Sequence, residues 1–239
     1  ALRCGVGLVK VYCHESSRIS ISAGRPEIML THKELEAALE WCSCIVVGPG
    51  LGQDDWAHQQ LSRLFEYLKH HPKPLVIDAD GLNLLAAIKD KAAVQNTLAR
   101  LPELVLTPHP GEASRLLNCN IAKVESDRYL SSQHIAQKYQ SVCVLKGAGT
   151  IIQMHESHQV HECFVCKGGN PGMATAGMGD LLTGVIGAFL AQGFTSQKAA
   201  VYGVCAHAEA GDRVAIQYGQ RGMIASDLLQ PLRAIVNGL

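Results

Sequence analysis

The feature that most constrains this chain is a rhythm. Short apolar runs recur between amphipathic segments: "VGLVKVY" (6–12), "CIVVG" (44–48), "PLVID" (74–78), "ELVLT" (103–107) and "VCVLK" (142–146). Each is rich in Val, Ile and Leu and is bounded by Gly, Pro, Asp or Lys, the composition of a strand buried on both faces. Between them, helical periodicity runs over 56–69, 82–88, 111–117 and 125–139. Alternating strand and helix predict an α/β fold, a mostly parallel central sheet covered by helices on both faces. After Lys146 the rhythm changes. "TIIQMH" and "HQVHECF" predict a hairpin turning at Glu156–Ser157, and three helices over 179–190, 196–217 and 226–236 close the chain. No repeat or low-complexity tract divides residues 1–239, so one domain is expected.

Composition narrows the partners. The 21 basic residues cancel the 21 acidic ones, so no global field recruits nucleic acid or an anionic membrane, and a small ligand with local anion recognition fits better. The longest apolar stretch, 181–190, is interrupted by Thr183 and is about half of the roughly 20 residues a membrane span needs. Nine cysteines scattered through apolar segments suit a reducing, cytoplasmic compartment. Cys163 and Cys166 form a C-x-x-C downstream of His155, His158 and His161, but a period of three cannot aim every His at one face of a strand. A polar hairpin with buried thiols is expected there rather than zinc. Ala1 is not an initiator, so the chain reads as part of a longer one.

Candidate chemistry gathers at strand ends. In open parallel sheets ligands bind beyond the carboxyl ends of the strands, and four predicted strands run at that end into "GPGLG" (48–52), "DADGLN" (78–83), "TPHPGE" (107–112) and "KGAGT" (146–150). A fifth segment, "GNPGMATAGMGD" (169–180), ends on Asp180 at the start of an apolar helix. Glycines there let backbone amides converge on phosphate oxygens, and Asp180 stands where a carboxylate can take a proton from a hydroxyl; simple helix capping is the competing explanation. His109 stands at a strand end with Glu112 in the next helical turn, placed either for magnesium or for the helix dipole. Lys146 with its glycines can face a nucleotide phosphate or merely turn the chain into a hairpin, and its spacing is not that of a P-loop. "GPGLG" lacks dinucleotide-fold spacing, and no acid follows about 20 residues on to bind a ribose. Of Asp78 and Asp80, one is expected to cap a helix through Asn83 and the other to face the cleft. His207, on an apolar helix, is expected to be a satisfied core residue.

Taken together, "GPGLG", "VIDADGLNLL", "TPHPGEASRLL", "VLKGAGT" and "GNPGMATAGMGDLLTGVIGAFLAQG" resemble, in order and over nearly the whole chain, the ADP-dependent NAD(P)H-hydrate dehydratase family of the ribokinase-like superfamily. The resemblance implies repair of the 6S hydrate of NADH or NADPH. A nucleotide phosphorylates the ring hydroxyl and phosphate then leaves, with ADP as co-substrate (ATP in the eukaryotic form) and Mg2+ as cofactor. By the same resemblance Asp180 activates the hydroxyl. Lys146, Gly147, Ala148, Gly149, Thr150 and Gly179 hold ADP or AMP; Gly52, His109 and Asp180 line the hydrated cofactor, with Gly50, Asp80 and Asn170 as further contacts; Glu112 is the magnesium-associated acid. It also implies a homo-oligomer, a tetramer being the form considered, and an opening strand that would precede Ala1. A small-alcohol kinase of the same superfamily and a non-catalytic nucleotide-binding module are the alternatives.

Overall fold

The computed structural model describes residues 1–155 and 162–239. A small parallel pair comes first, β1 (Lys10–Tyr12) and β2 (Met29–Thr31), separated by α1 (Arg18–Gly24) and followed by α2 (Leu35–Trp41). The main sheet then builds in chain order. β3 (Ile45–Val47) leads to α3 (Asp55–His70), and β4 (Leu75–Ile77) to α4 (Ala79–Ala87) and α5 (Lys91–Leu98). β5 (Leu104–Leu106) leads to α6 (Pro110–Leu117), α7 (Ile121–Ser126) and α8 (Arg128–Tyr139). β6 (Val142–Leu145), β7 (Thr150–Gln153) and β8 (Cys163–Cys166) complete the sheet, and α9 (Met178–Ala191), α10 (Ser196–Tyr218) and α11 (Leu229–Ile235) follow.

Spatial order in the main sheet equals sequence order, β3-β4-β5-β6-β7-β8; β3 to β6 are parallel, and β7 and β8 are antiparallel to their neighbours. When parallel strands are added in one direction, right-handed crossovers put every connecting helix on the same face. The core follows that rule. Leu75, Ile77, Leu104, Leu106, Cys143 and Leu145 point to the face covered by α3, α4, α6 and α8, where Leu64, Leu82, Leu116 and Ile135 are buried. Alternate residues Val76, Val105, Val142 and Val144 point to the other face, which is covered by α9, α10 and α11 through Val185, Ile186, Val204 and Leu232. The strand period of two thus assigns Leu and Ile to one layer and mostly Val to the other.

Three expectations are corrected. Of "VGLVKVY" only Lys10–Tyr12 is extended, and it pairs with β2 outside the main sheet; Lys10, charged and only partly buried, does not suit a strand covered on both faces. The pattern over 125–139 is two helices, because Asp127 at φ −152° ends α7 and its carboxylate accepts from Leu130 N (2.9 Å) to start α8. The final pattern, 226–236, opens as a 3-10 turn, Ala225–Leu228, before α11. The expected turn at Glu156–Ser157, with His158 and His161, lies outside the described residues. No described helix is long and apolar enough to cross a membrane.

Candidate active site

The carboxyl ends of β3, β4, β5 and β6 and the amino end of α9 meet at one rim. Two glycines are needed to assemble it. A Cβ at Gly48 (φ 129°) would lie 1.8 Å from the carbonyl oxygen of Asp78, so only glycine lets the loop after β3 cross the end of β4. Gly177 (φ 83°) caps α9 without a side chain, and the first intrahelical bond there is Leu181 N to Gly177 O at 2.9 Å. The amides of Met178, Gly179 and Asp180 therefore precede the helical ladder, uncapped by any N-cap side chain, at the positive end of a 14-residue dipole.

Beneath them lies a buried ionic floor. Asp78, fully buried, accepts from Lys146 Nζ at 2.6 Å and from the Thr183 hydroxyl at 2.5 Å. The Thr183 hydroxyl also lies 3.0 Å from Gly179 O, but its single proton belongs on the shorter, charged acceptor. Lys146 also stands 3.7 Å from Glu112 Oε2, and its backbone N–H donates to Pro108 O at 2.9 Å. A Cβ added to Gly179 would sit 3.2 Å from the Lys146 ammonium, so the cation lies directly against the first turn of α9.

At the lip stands Asp180, exposed and third in α9, its carboxylate without a hydrogen bond among the described residues. Protein mass behind it, then the carboxylate of Asp78, raises its pKa above the ordinary aspartate value; Asp80 adds to this and Lys146 opposes it. A carboxylate without a partner, raised toward the range where it can accept and return a proton, is suited to general-base work.

The other candidates divide. His109 is the N-cap of α6, its Nδ1 accepting from Gly111 N (2.9 Å), and about half of its side chain faces solvent. Glu112 is buried; its Oε2 accepts from His109 N at 2.8 Å, completing a capping box, and its Oε1 lies 3.3 Å from His109 Nε2. Neither Asp78 nor Asp80 caps a helix through Asn83, as the sequence had implied. Asp78 is spent in the floor, Asp80 accepts from Gly52 N (3.0 Å) and Gln53 Nε2 (2.9 Å), and Asn83 takes Arg115. The Gly52 amide is thereby committed, while Gly50 (φ 66°) forms the tip of the turn closed by Leu51 N to Gly48 O. Asn170 also turns inward, donating to Asp212 at 2.9 Å and accepting from Gly172 N at 3.1 Å, while Asp212 holds Gly169 N at 2.8 Å. The "KGAGT" turn is bound from behind by Arg128, and Thr150 Oγ1 donates to Gly147 O at 3.1 Å. His207 is buried but only half satisfied: it bonds the backbone of Met178, while Nε2 has no partner, and burial lowers its pKa to about 4. Among the described residues no group of His, Cys, Asp or Glu is arranged to hold a metal.

Thr183, Arg128 and Asp212 were not singled out for the site by sequence. Thr183 was visible as the one hydroxyl interrupting an apolar helix, and Asp212 as an acid in an alanine-rich one; Arg128 carried no signal beyond its place in a helical pattern.

A family model described as NAD(P)H-hydrate dehydratase matches residues 1–233. The chain belongs to this family. Within the NAD(P)H-hydrate dehydratase family it is 42% identical over 240 residues to the bifunctional NAD(P)H-hydrate repair enzyme Nnr of Escherichia coli, covering 99% of this chain and 43% of that one. It is 36% identical over 219 residues to the ADP-dependent (S)-NAD(P)H-hydrate dehydratase of Neisseria meningitidis serogroup B, covering 91% of this chain and 71% of that protein. The chain thus spans less than half the length of the bifunctional relatives. A ribokinase-like superfamily protein from Enterococcus faecalis superposes with a TM-score of 0.81 at 31% identity, over 99% of this chain and 79% of that one. The α/β architecture of this dehydratase-family chain is therefore ribokinase-like.

Proposed function

We propose that residues 1–239 act as one domain that removes water from the hydrate of NADH or NADPH at the expense of ADP, as the name of the Neisseria relative describes for that protein. The observation that carries this is the unpartnered Asp180 carboxylate beside the uncapped amides of α9. In the reaction, the ring hydroxyl attacks the terminal phosphorus of ADP, its proton passes to Asp180, and AMP departs. The phosphoryl oxygens gain charge in front of the amides of Met178, Gly179 and Asp180, which are fixed in advance and cost no reorganisation. The ring carbon–oxygen bond then breaks, phosphate leaves with the bonding pair, and loss of a proton from the adjacent ring carbon restores the double bond. The sum is hydrate plus ADP giving NAD(P)H, AMP and phosphate.

A Bacillus subtilis neighbour at 24% identity was crystallised with ATP and Mg2+. A magnesium ion accompanying the nucleotide would neutralise phosphate charge, and Glu112, whose Oε2 already accepts from His109 N, would reach it directly or through a bound water. Free cysteines throughout support a reducing, cytoplasmic setting. Exposed Phe164 and Val165 on the edge strand β8 support a homo-oligomer, which light scattering will read.

Incubating the protein with hydrated NADH, ADP and magnesium is expected to regenerate the absorbance of the reduced nicotinamide and release AMP and phosphate in equal amounts. A stable phosphorylated product, or no recovery that depends on a nucleotide, overturns the proposal.

A further inference from the structure

The position of Arg128 runs against local preference. It opens α8, where a cation opposes the helix dipole. No carboxylate among the described residues neutralises it; its partners are three backbone carbonyls, Ala148 O at 2.8 Å, Leu145 O at 3.2 Å and Lys146 O at 3.4 Å. In a planar trans peptide the carbonyl and the following N–H point in opposite directions. Holding the carbonyls of Lys146 and Ala148 on one side therefore turns the amides of Gly147 and Gly149 to the other. The third carbonyl checks the geometry: Leu145 O faces Arg128, and the N–H of the same peptide, on Lys146, donates the opposite way to Pro108 O at the end of β5. That is the rim on which the cleft opens. The glycines permit the arrangement, since a Cβ at Gly147 (φ 150°) would lie 2.9 Å from Arg128 Nη2.

We infer that Arg128 is a positioning residue for the nucleotide, gripping the carbonyl edge of the 145–148 segment so that its amide edge is presented to the phosphates. The inference rests on the proposed nucleotide site. Its mechanism is preorganisation, since a turn already held in the binding conformation spares the nucleotide the cost of ordering it. A lysine carries the charge on a single nitrogen, whereas two nitrogens of the planar guanidinium divide these carbonyls, Nη1 taking Ala148 O and Nη2 taking Leu145 O and Lys146 O, so charge alone does not replace it.

The test is calorimetric titration of ADP into wild type, Arg128→Ala and Arg128→Lys, with steady-state KM values for both substrates and added guanidinium ion below its denaturing range. Arg128→Ala is expected to weaken ADP binding about tenfold or more, with kcat at saturating ADP and the KM for the hydrate changed less than about twofold. Arg128→Lys should recover only a minor part of the loss, and guanidinium should restore ADP binding to Arg128→Ala but not alter wild type. ADP affinity within about twofold of wild type in either variant overturns the inference, as does an equal loss of hydrate and ADP binding, which marks general damage. Should Arg128→Ala fail to fold, the Arg128→Lys titration decides alone. Failure of wild type to bind ADP defeats the functional proposal itself, whereas wild-type binding with an indifferent variant defeats only the role of Arg128.

Discussion

Two acids face the same cleft from opposite conditions. Asp78, in the floor at the end of β4, is fully buried and saturated by an ammonium and a hydroxyl. Asp180, on the lip in the first turn of α9, is exposed and has no hydrogen-bond partner for its carboxylate among the described residues. A buried charge must be paired or it destabilises the fold, so the Asp78 carboxylate has no freedom left for chemistry. The lip acid keeps both oxygens available. Partial burial, and after it the neighbouring Asp78 carboxylate, raise the Asp180 pKa, and the like charge is tolerated at the lip because water shares the cost. Within one site, support and reactivity are thus separated by depth.

The separation predicts opposite phenotypes. Asp180→Asn is expected to lower kcat about a thousandfold, as loss of a general base does, while the urea midpoint and ADP affinity stay near wild type. The wild-type rate should fall on acidification with an apparent pKa above the ordinary aspartate range, because the proton acceptor must be ionised. Full activity in the variant would break the contrast. Asp78→Ala should do the reverse, costing about 3 kcal/mol of unfolding free energy by leaving the largely buried Lys146 ammonium with only Glu112 at 3.7 Å and the Thr183 hydroxyl without its acceptor. Urea denaturation measures it, and a loss below about 1 kcal/mol would show that the floor is not holding the rim together.

A smaller effect should come from behind the lip. His207 bonds the backbone of Met178 at the head of α9, and burial depresses its folded pKa from 6.5 to about 4. The fold therefore prefers the neutral imidazole, and the unfolded chain binds the extra proton first. Its contribution is complete above pH 6.5 and is lost as pH falls toward 4, at most about 3 kcal/mol. His207→Leu should flatten that part of the stability–pH curve; an unchanged slope would mean that His207 does not titrate with folding.

Much of this was legible where the signal is local. "PLVID", "ELVLT" and "VCVLK" became β4, β5 and β6 because uninterrupted apolar residues must be covered on both faces, and Gly177–Asp180 opened α9 as glycine-rich helix starts do. The four strand-end motifs converged for the same reason, since parallel strands bring all their carboxyl ends to one rim. What escaped is held by distant pairs. Thr183 meets Asp78 across 105 positions, Asp212 meets Gly169 across 43, and Arg128 meets Ala148 across 20. No periodicity encodes such partners. Asp78 looks as available as Asp180 in one dimension, and only burial shows that it is already spent. Of the small pair, β1 was read into the main sheet because apolar residues surround its lysine, and β2 was not foreseen.

The 105-residue bond between Thr183 and Asp78 also has a temporal side. Synthesis proceeds from the amino end at about 5–20 residues per second, so the parallel strands and both partners of the Lys146–Asp78 ion pair are made before the helix bearing Asp180. Until α9 to α11 emerge, one side of the sheet presents Val76, Val105 and Val144 to water. The face that α9 to α11 cover is thus the last part of the core to be completed.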